Sequence, residues 1–299
     1  MSRALANLLL LTSGLIWGMA FVTQSTAMEN LGALQFTGIR FLLACIAVAP
    51  LAWYEARKPK AQPLRKSSYL PLLGVGLCFT LGCILQQYGI IITSVTNAGF
   101  LTAVYVVLTP FLAWLLFKEQ VNPLVWCASG LTLFGIFLLG GGSLTALNAG
   151  DLLMLACAVF WALQVIFVGR LGKSIGRPVA IALSQFLTVG ILCTIAGFIL
   201  EPISWSAINA VWFELFFAGV CSGGVAFTIQ AFAQQWTKPA DAAIMLSSEA
   251  LFAALFAAVL LGERLNVMSG IGAALIFSSI LLVELAPHLR AKLRPSHPG

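Results

Sequence analysis

Long apolar stretches separated by short polar breaks make up almost the whole of this 299-residue chain. A helix needs about 20 apolar residues to cross the hydrocarbon core of a bilayer. The chain contains ten such stretches, which predict membrane-spanning helices at residues 4–23, 34–54, 69–91, 97–117, 123–140, 150–170, 178–199, 209–233, 241–261 and 266–285. Several connections are so short that consecutive helices must be antiparallel neighbours. The pattern therefore predicts an all-α membrane protein built as one compact bundle.

The second half of the pattern repeats the first at an offset of about 144 residues. The matched landmarks include Trp17 with Trp161, Gln86 with Gln230, Tyr105 with Glu249, Glu119 with Glu263, and Arg40-Phe41 with Gln185-Phe186. We divide the chain into a five-helix repeat at 1–143, a second at 144–287 and a cytoplasmic tail at 288–299, with the turn between repeats near Gly140 to Gly142. Five helices is an odd number, so the repeats are inverted, an arrangement that places a central site between them in many secondary transporters.

Composition and charge agree with a membrane protein. The chain is 60% hydrophobic and only 9% charged, which excludes a water-soluble globule. Of the 16 Lys and Arg residues, all except Arg40 and Arg264 fall on the side of the termini, so the positive-inside rule predicts cytoplasmic termini. These basic residues lie in short loops and a tail rather than on a folded face. We therefore expect membrane lipid around the chain and no nucleic-acid partner.

No constellation of residues points to catalysis. The seven cysteines lie in apolar runs without a CxxC pair, and the two histidines lie in the tail, so we expect no metal and no cofactor. Serine–histidine–aspartate, HExxH and paired-carboxylate arrangements are missing from the sequence, which disfavours a membrane enzyme. A phosphate-binding GxxxxGK[ST] loop is also missing, which disfavours transport driven by nucleotide hydrolysis.

Aromatic and ionisable residues in mid-helix are the first candidates for a substrate site. Trp17 and Trp161 lie roughly 16 to 20 Å along their helices, near the bilayer midplane, where they form either a stackable wall or a packing contact. Glu249 lies inside helix nine, where a carboxyl is expensive; it binds a substrate ammonium, carries a coupling proton or is structural. Tyr105, the residue that corresponds to Glu249 in the first repeat, lies at the same depth. Ser248 directly precedes Glu249 in sequence.

Amides and the remaining charged residues form a second group. Gln86, Gln164 and Gln230 are candidates for substrate binding, although buried amides also hold helices together. Arg40 either attracts a substrate carboxylate or pairs with Glu29. Glu119 and Glu263, just after helices four and nine, oppose the dipoles of those helices. This suggests lateral partners, such as Lys118 or Arg264, and an electrostatic or gating role. At the other ends of the same two helices, Asn97 and Asp241 are good N-cap residues.

These landmarks resemble a known family. Trp17-Gly18, Arg40-Phe41, Pro110 with Glu119 following it, and Leu261-Gly262-Glu263 are similar to EamA-type transporters of the drug/metabolite transporter superfamily, over almost the whole chain. Among their members the chain resembles most the YddG-type amino acid exporters of bacterial inner membranes. The second repeat departs from the pattern, with Gln185 in place of arginine and Ala254 in place of proline.

The resemblance implies alternating access through a central cavity and export of aromatic and other neutral amino acids. A proton-coupled exporter of lipophilic cations or other small metabolites, with Glu249 as the cation and proton site, is the alternative. With Arg40 as the single intramembrane basic residue, phosphate-bearing substrates are disfavoured. We expect a monomer or a weak homo-oligomer in the bacterial inner membrane.

Overall fold

The computed structural model describes residues 1–58, 63–139 and 148–293, and every regular element within these ranges is a helix. Ten long helices follow one another: α1 Arg3–Ala27, α2 Ala33–Ala56, α3 Lys66–Ile90, α4 Val95–Phe117, α5 Pro123–Leu139, α6 Ala149–Ile175, α7 Pro178–Leu200, α8 Trp212–Ala233, α9 Pro239–Leu260 and α10 Val267–Leu293. A short helix, Trp205–Ala210, precedes α8. Eight of the ten are long and apolar enough to cross a membrane, and α5 and the Val267–Val283 part of α10 are shorter apolar helices. The ten-helix prediction is confirmed.

Two predicted boundaries fall partly or wholly beyond these ranges. The turn at Gly140 to Gly142, and with it the repeat boundary after residue 143, lies outside the described residues. Residues 294–299 of the predicted tail also lie outside them. The helix predicted to end at residue 285 continues to Leu293, although the added stretch contains Pro287. The exact domain limits stay predictions.

Both α4 and α9 begin earlier than the sequence suggested. Ser94 caps α4 by accepting a 3.2 Å hydrogen bond from the Asn97 backbone N–H. Pro239 is the first residue of α9, a position that needs no backbone N–H. Asn97 and Asp241, expected as the N-caps, therefore lie inside the first turn of each helix.

The same two helices are interrupted at equivalent positions, although each was predicted to be continuous. The segments of α4 are Val95–Thr102 and Tyr105–Phe117, and those of α9 are Pro239–Leu246 and Ser248–Leu260. A left-handed residue also follows each helix, Lys118 with φ 52° directly after α4 and Gly262 with φ 71° two residues after α9. The duplication therefore extends from sequence landmarks to local backbone conformation.

One helix breaks the symmetry. Phe217–Ala226 within α8 is a π-helix, while its counterpart α3 is a continuous α-helix. A Cβ at Gly219 would lie 2.7 Å from the carbonyl oxygen of Arg40, so only glycine allows the backbones of α8 and α2 to approach this closely.

The two repeats interlock rather than stand side by side. The first helix of each repeat packs against the fourth of the other, α1 on α9 and α6 on α4. The second helices, α2 and α7, pack against each other, as do the fifth helices, α5 and α10. Because α3 also packs on α6 and α8 on α1, the buried centre is built from both repeats. Arg3, which begins α1, donates to the Val283 carbonyl in α10, so the first and last helices meet at one end of the bundle, here called the terminal face.

Candidate functional site

A narrow cavity lined by buried side chains lies between the two repeats, with a volume of about 40 Å³ counted as the space open to the centre of a water molecule. Seven of the eight candidate substrate residues line it: Trp17, Gln86, Tyr105, Trp161, Gln164, Gln230 and Glu249. Arg40 lines it as well. Ser248 does not; its buried hydroxyl faces α1 at Gly14 and has no hydrogen-bond partner.

The interruptions of α4 and α9 deliver a phenol and a carboxyl to this cavity. Tyr105 begins the second segment of α4, and Glu249 is the second residue of the second segment of α9. Both therefore lie in the first turn of a half-helix. Glu249 Oε1 and Tyr105 Oη are buried and interact with each other, although neither has a hydrogen bond of good geometry. A solute that enters the cavity meets this carboxyl–phenol pair.

The two repeat-paired tryptophans meet different partners. Trp161 Nε1 donates to Gln86 Oε1 at 2.8 Å. Trp17 Nε1 donates instead to the backbone carbonyl of Ser222, in the π-helical part of α8, at 3.3 Å. The indole N–H groups are therefore satisfied, and the rings present their apolar surfaces to the cavity.

Amide side chains link the helices around the cavity. Gln164 and Gln230 exchange hydrogen bonds, with Nε2 to Oε1 distances of 3.3 and 3.1 Å, and Gln164 also donates to Gln185 Oε1 at 2.8 Å. On the other side, Gln86 Nε2 donates to Gln24 Oε1 at 3.4 Å. These amides hold helices together in this conformation, because their bonding capacity is spent largely on one another.

Arg40 is a buried cation without a carboxylate partner among the described residues. Its guanidinium lies 4.6 Å from the ring centroid of Phe41 and 5.4 Å from that of Phe36. Its Nε has no hydrogen-bond partner. The expected pairing with Glu29 does not form, since Glu29 is exposed on the loop after α1 whereas Arg40 is 4% exposed.

Comparison with known proteins identifies the family. The model of the EamA-like transporter family matches the chain twice, over residues 4–141 and 148–285. This chain belongs to the EamA-like transporter family. The two matches correspond to the two repeats, so each half of this EamA-like transporter carries the family pattern by itself.

Relatives that align with almost the whole chain support the same family. The EamA-like transporter is 31% identical over 286 residues to an uncharacterized transporter of Archaeoglobus fulgidus, which covers 95% of this chain and 87% of the relative. It is 26% identical over 288 residues to the uncharacterized inner membrane transporter YedA of Escherichia coli, covering 92% and 89%. A solved crystal structure with 17% identity superimposes with a TM-score of 0.76 over 96% of this chain and 99% of the other, which shows the shared fold.

Glu119 and Glu263 lie at opposite ends of the bundle, outside the cavity. Glu263 accepts hydrogen bonds from the backbone N–H groups of Val95 and Thr96, at 3.2 and 3.3 Å, and from the Thr96 hydroxyl. Glu119 pairs with Arg170 at 2.6 Å. Each glutamate opposes the dipole of the helix that it follows, but finds compensation elsewhere, with partners that differ from the expected Lys118 and Arg264.

The sequence reasoning missed Phe227, whose ring lines the cavity of the EamA-like transporter. It also missed Glu55 and Glu201, which cap α7 and α2 across the repeat interface. The two glutamates occupy nearly equivalent places at the ends of the second helices, which is the signal that could have revealed them. Phe227 corresponds to Cys83 in the first repeat, so the duplication gave no hint of it.

Proposed function

We propose that this EamA-like transporter exports amino acids, aromatic and other neutral ones, by alternating access through its central cavity. The supporting observation is that one cavity with aromatic walls contains the buried guanidinium of Arg40, which has no carboxylate partner among the described residues, and the buried carboxyl of Glu249 beside the Tyr105 phenol. A neutral amino acid carries a carboxylate, an ammonium and an uncharged side chain. Each part of such a solute therefore has a complementary group in the cavity.

The cavity is too small to hold an amino acid in this conformation. One water molecule needs roughly 10 to 15 Å³ counted in this way, so about 40 Å³ admits only a few waters. Loading an amino acid requires the lining helices to separate on one side of the membrane and then on the other. Because the site is shared between inverted repeats, two equivalent movements can expose it to either side.

Export of lipophilic cations coupled to protons is the second candidate, and the buried Glu249 carboxyl beside the indole rings of Trp17 and Trp161 favours it. Arg40 counts against it. A buried guanidinium in the same cavity repels a cationic solute through surroundings of low dielectric constant.

The two candidates are separated by competition in proteoliposomes that exchange labelled phenylalanine. The competitors are phenylalanine itself, phenethylamine, which lacks the carboxylate, and 3-phenylpropionate, which lacks the ammonium. If both charges are recognised, each truncated competitor inhibits at least about tenfold more weakly, since a charged hydrogen bond contributes about 1.5 to 3 kcal/mol. Phenethylamine competing as well as phenylalanine, or an absence of phenylalanine exchange, would contradict the proposal.

Matched substitutions assign the two charges. Arg40→Gln should weaken inhibition by phenylalanine and by 3-phenylpropionate, and should leave inhibition by phenethylamine nearly unchanged. Glu249→Gln should weaken inhibition by phenylalanine and by phenethylamine, and should leave inhibition by 3-phenylpropionate nearly unchanged. If the protein is instead a proton-coupled cation exporter, the same substitution should abolish transport at every proton gradient. Equal losses for all three competitors in both variants would mean that neither side chain reads the solute charge.

We further propose a bacterial inner membrane location with cytoplasmic termini, supported by the inner membrane relative and by the Lys and Arg distribution. Single cysteines placed at Glu29 and Arg264 should then react with an impermeant thiol reagent from the periplasm. Reaction from the cytoplasm instead would reverse the orientation. The monomeric or weakly oligomeric state stays a prediction.

A further inference from the structure

Phe227 lies against both of the repeat-paired tryptophans. Its ring centroid lies 4.4 Å from that of Trp17 and 5.8 Å from that of Trp161, and the second pair is stacked with an interplanar angle of 20°. The side chain lines the cavity and is 7% exposed. The cavity face of each tryptophan is thus contacted by the same ring of the protein itself.

This ring is where the two halves of the cavity differ most. The residue that corresponds to Phe227 in the first repeat is Cys83, which lines the same cavity. The duplicated site therefore has a small thiol on one side and a phenyl ring on the other. The phenyl ring takes up volume that a symmetric cavity would leave open.

The placement of the ring coincides with the π-helical part of α8, which ends at Ala226, directly before Phe227. A π-helix bonds each N–H five residues back, so the residues that follow point in a different direction than they would after a continuous α-helix. Donors from α1 bind this segment, Trp17 Nε1 to the Ser222 carbonyl at 3.3 Å and Ser13 Oγ to the Ala226 carbonyl at 3.0 Å. The rare conformation is fixed where it aims Phe227 into the cavity.

We propose that Phe227 holds the place of the substrate's side chain in this conformation and sets the largest side chain that the transporter accepts. The inference rests on the proposed amino acid export. An aromatic side chain gains the most by stacking between Trp17 and Trp161, and it shares that slot with Phe227 only by displacing the ring. The π-helical residues are the part of α8 that can take up this displacement, by changing their hydrogen-bond register.

The test compares tryptophan with threonine as exchange substrates of the full chain in proteoliposomes. Phe227→Leu and Phe227→Ala should raise the ratio of initial rates, tryptophan over threonine, by about tenfold, a typical gain when an apolar pocket is enlarged. Phe186→Leu and Phe186→Ala are the matched controls. Phe186 lies 6.3 Å from Phe227 in the same ring cluster but does not line the cavity, so the ratio should stay within about twofold of wild type.

Each outcome has one meaning. A raised ratio in the Phe227 variants alone supports the inference. An unchanged ratio, or an equal change at Phe186, overturns the inference while amino acid export stands. If the wild type exchanges neither amino acid, the proposed function fails and the inference fails with it. Monodisperse elution and an unchanged melting temperature show that the variants are folded, and the leucine pair carries the test if the alanine pair is unstable.

Discussion

Among the helix pairs that join the repeats, α2 packs antiparallel to α7 and α4 packs antiparallel to α9, and the ends of these two pairs are fastened differently. In the first pair, a glutamate at the end of each helix accepts two backbone N–H bonds from the first turn of the other. The distances are 2.8 Å from Leu34 and Gln35 to Glu201, and 3.0 Å from Val179 and Ala180 to Glu55. Each carboxylate thereby satisfies N–H groups that a helix start leaves free and lies at a favourable dipole end.

The second pair is fastened in this way at one end only. Glu263 caps the start of α4, but the start of α9 has Pro239, which offers no N–H, and Glu119 pairs with Arg170 instead. The start of α9 is held by an ion pair between Arg3 and Asp241, 3.2 Å long and partly exposed. Such pairs contribute little, typically below about 1 kcal/mol.

This difference indicates which helices of the bundle can move. The α2–α7 pair is capped at both faces and has continuous helices, so we expect it to stay fixed while the cavity opens. In the α4–α9 pair both helices are interrupted beside the cavity, and a glutamate caps the pair only at the end opposite the terminal face. We expect opening to occur by movement of this second pair.

The largest effect is expected from breaking the fixed pair. Glu55→Ala or Glu201→Ala leaves two N–H groups without a charged acceptor, which should lower the free energy of unfolding by about 2 kcal/mol each. The two sites are roughly 30 Å apart at 1.5 Å per residue, so the losses should add in the double variant. Denaturant unfolding in detergent measures them.

The exposed Glu29 provides the control for this experiment. Glu29→Ala should change the free energy of unfolding by less than about 0.5 kcal/mol, as surface substitutions usually do. A loss at Glu29 equal to that at Glu55 would show that net charge, rather than capping, stabilises the pair.

A smaller effect on stability, but a clear one on opening, is expected from Glu263→Ala. Losing charged hydrogen bonds worth about 1.5 kcal/mol should raise the open fraction about tenfold. In a variant whose one remaining cysteine is the cavity residue Cys83, an impermeant thiol reagent applied from the face opposite the termini should then react about tenfold faster. An unchanged rate in Glu263→Ala would mean that this cap does not keep the cavity closed.

The smallest effect is expected at the terminal end of the second pair. Arg170 and Glu119 are 44% and 35% exposed, so their ion pair is screened by water. A double-mutant cycle with Glu119→Gln and Arg170→Gln should give a coupling energy below about 1 kcal/mol. A coupling of 2 kcal/mol or more would place this end on a level with the capped one and remove the asymmetry.

The sequence was sufficient for the ten helices, because the length of an apolar run is set by the thickness of the bilayer. It was not sufficient for the interruptions near Ala103 and Ser247. Glycine and proline are both missing from these positions, so local signals favour continuous helices. The caps by Glu55 and Glu201 also escaped prediction, because each depends on a helix start far away in the chain.

Some residues of the candidate site could likewise be predicted from the sequence, and others could not. Trp17, Trp161 and Glu249 stood out because side chains of their kind are unusual at mid-depth in apolar helices, and the structure brings all three to one cavity. Ser248 lies one residue away from Glu249, about 100° around the helix, and faces elsewhere. Phe227 was missed because phenylalanine is ordinary in a membrane helix and a π-helix has no clear signature in composition.

The interlocked packing has a consequence for biosynthesis. Since α1 rests on α9 and α6 on α4, the first five helices leave the ribosome before most of their neighbours exist. Until the second repeat is translated, Gln86 lacks the Trp161 indole N–H from which it accepts a hydrogen bond in the folded protein. A truncated nascent chain should therefore be a substrate for membrane proteases, and co-expressed half-chains should be retained only when both are synthesised together.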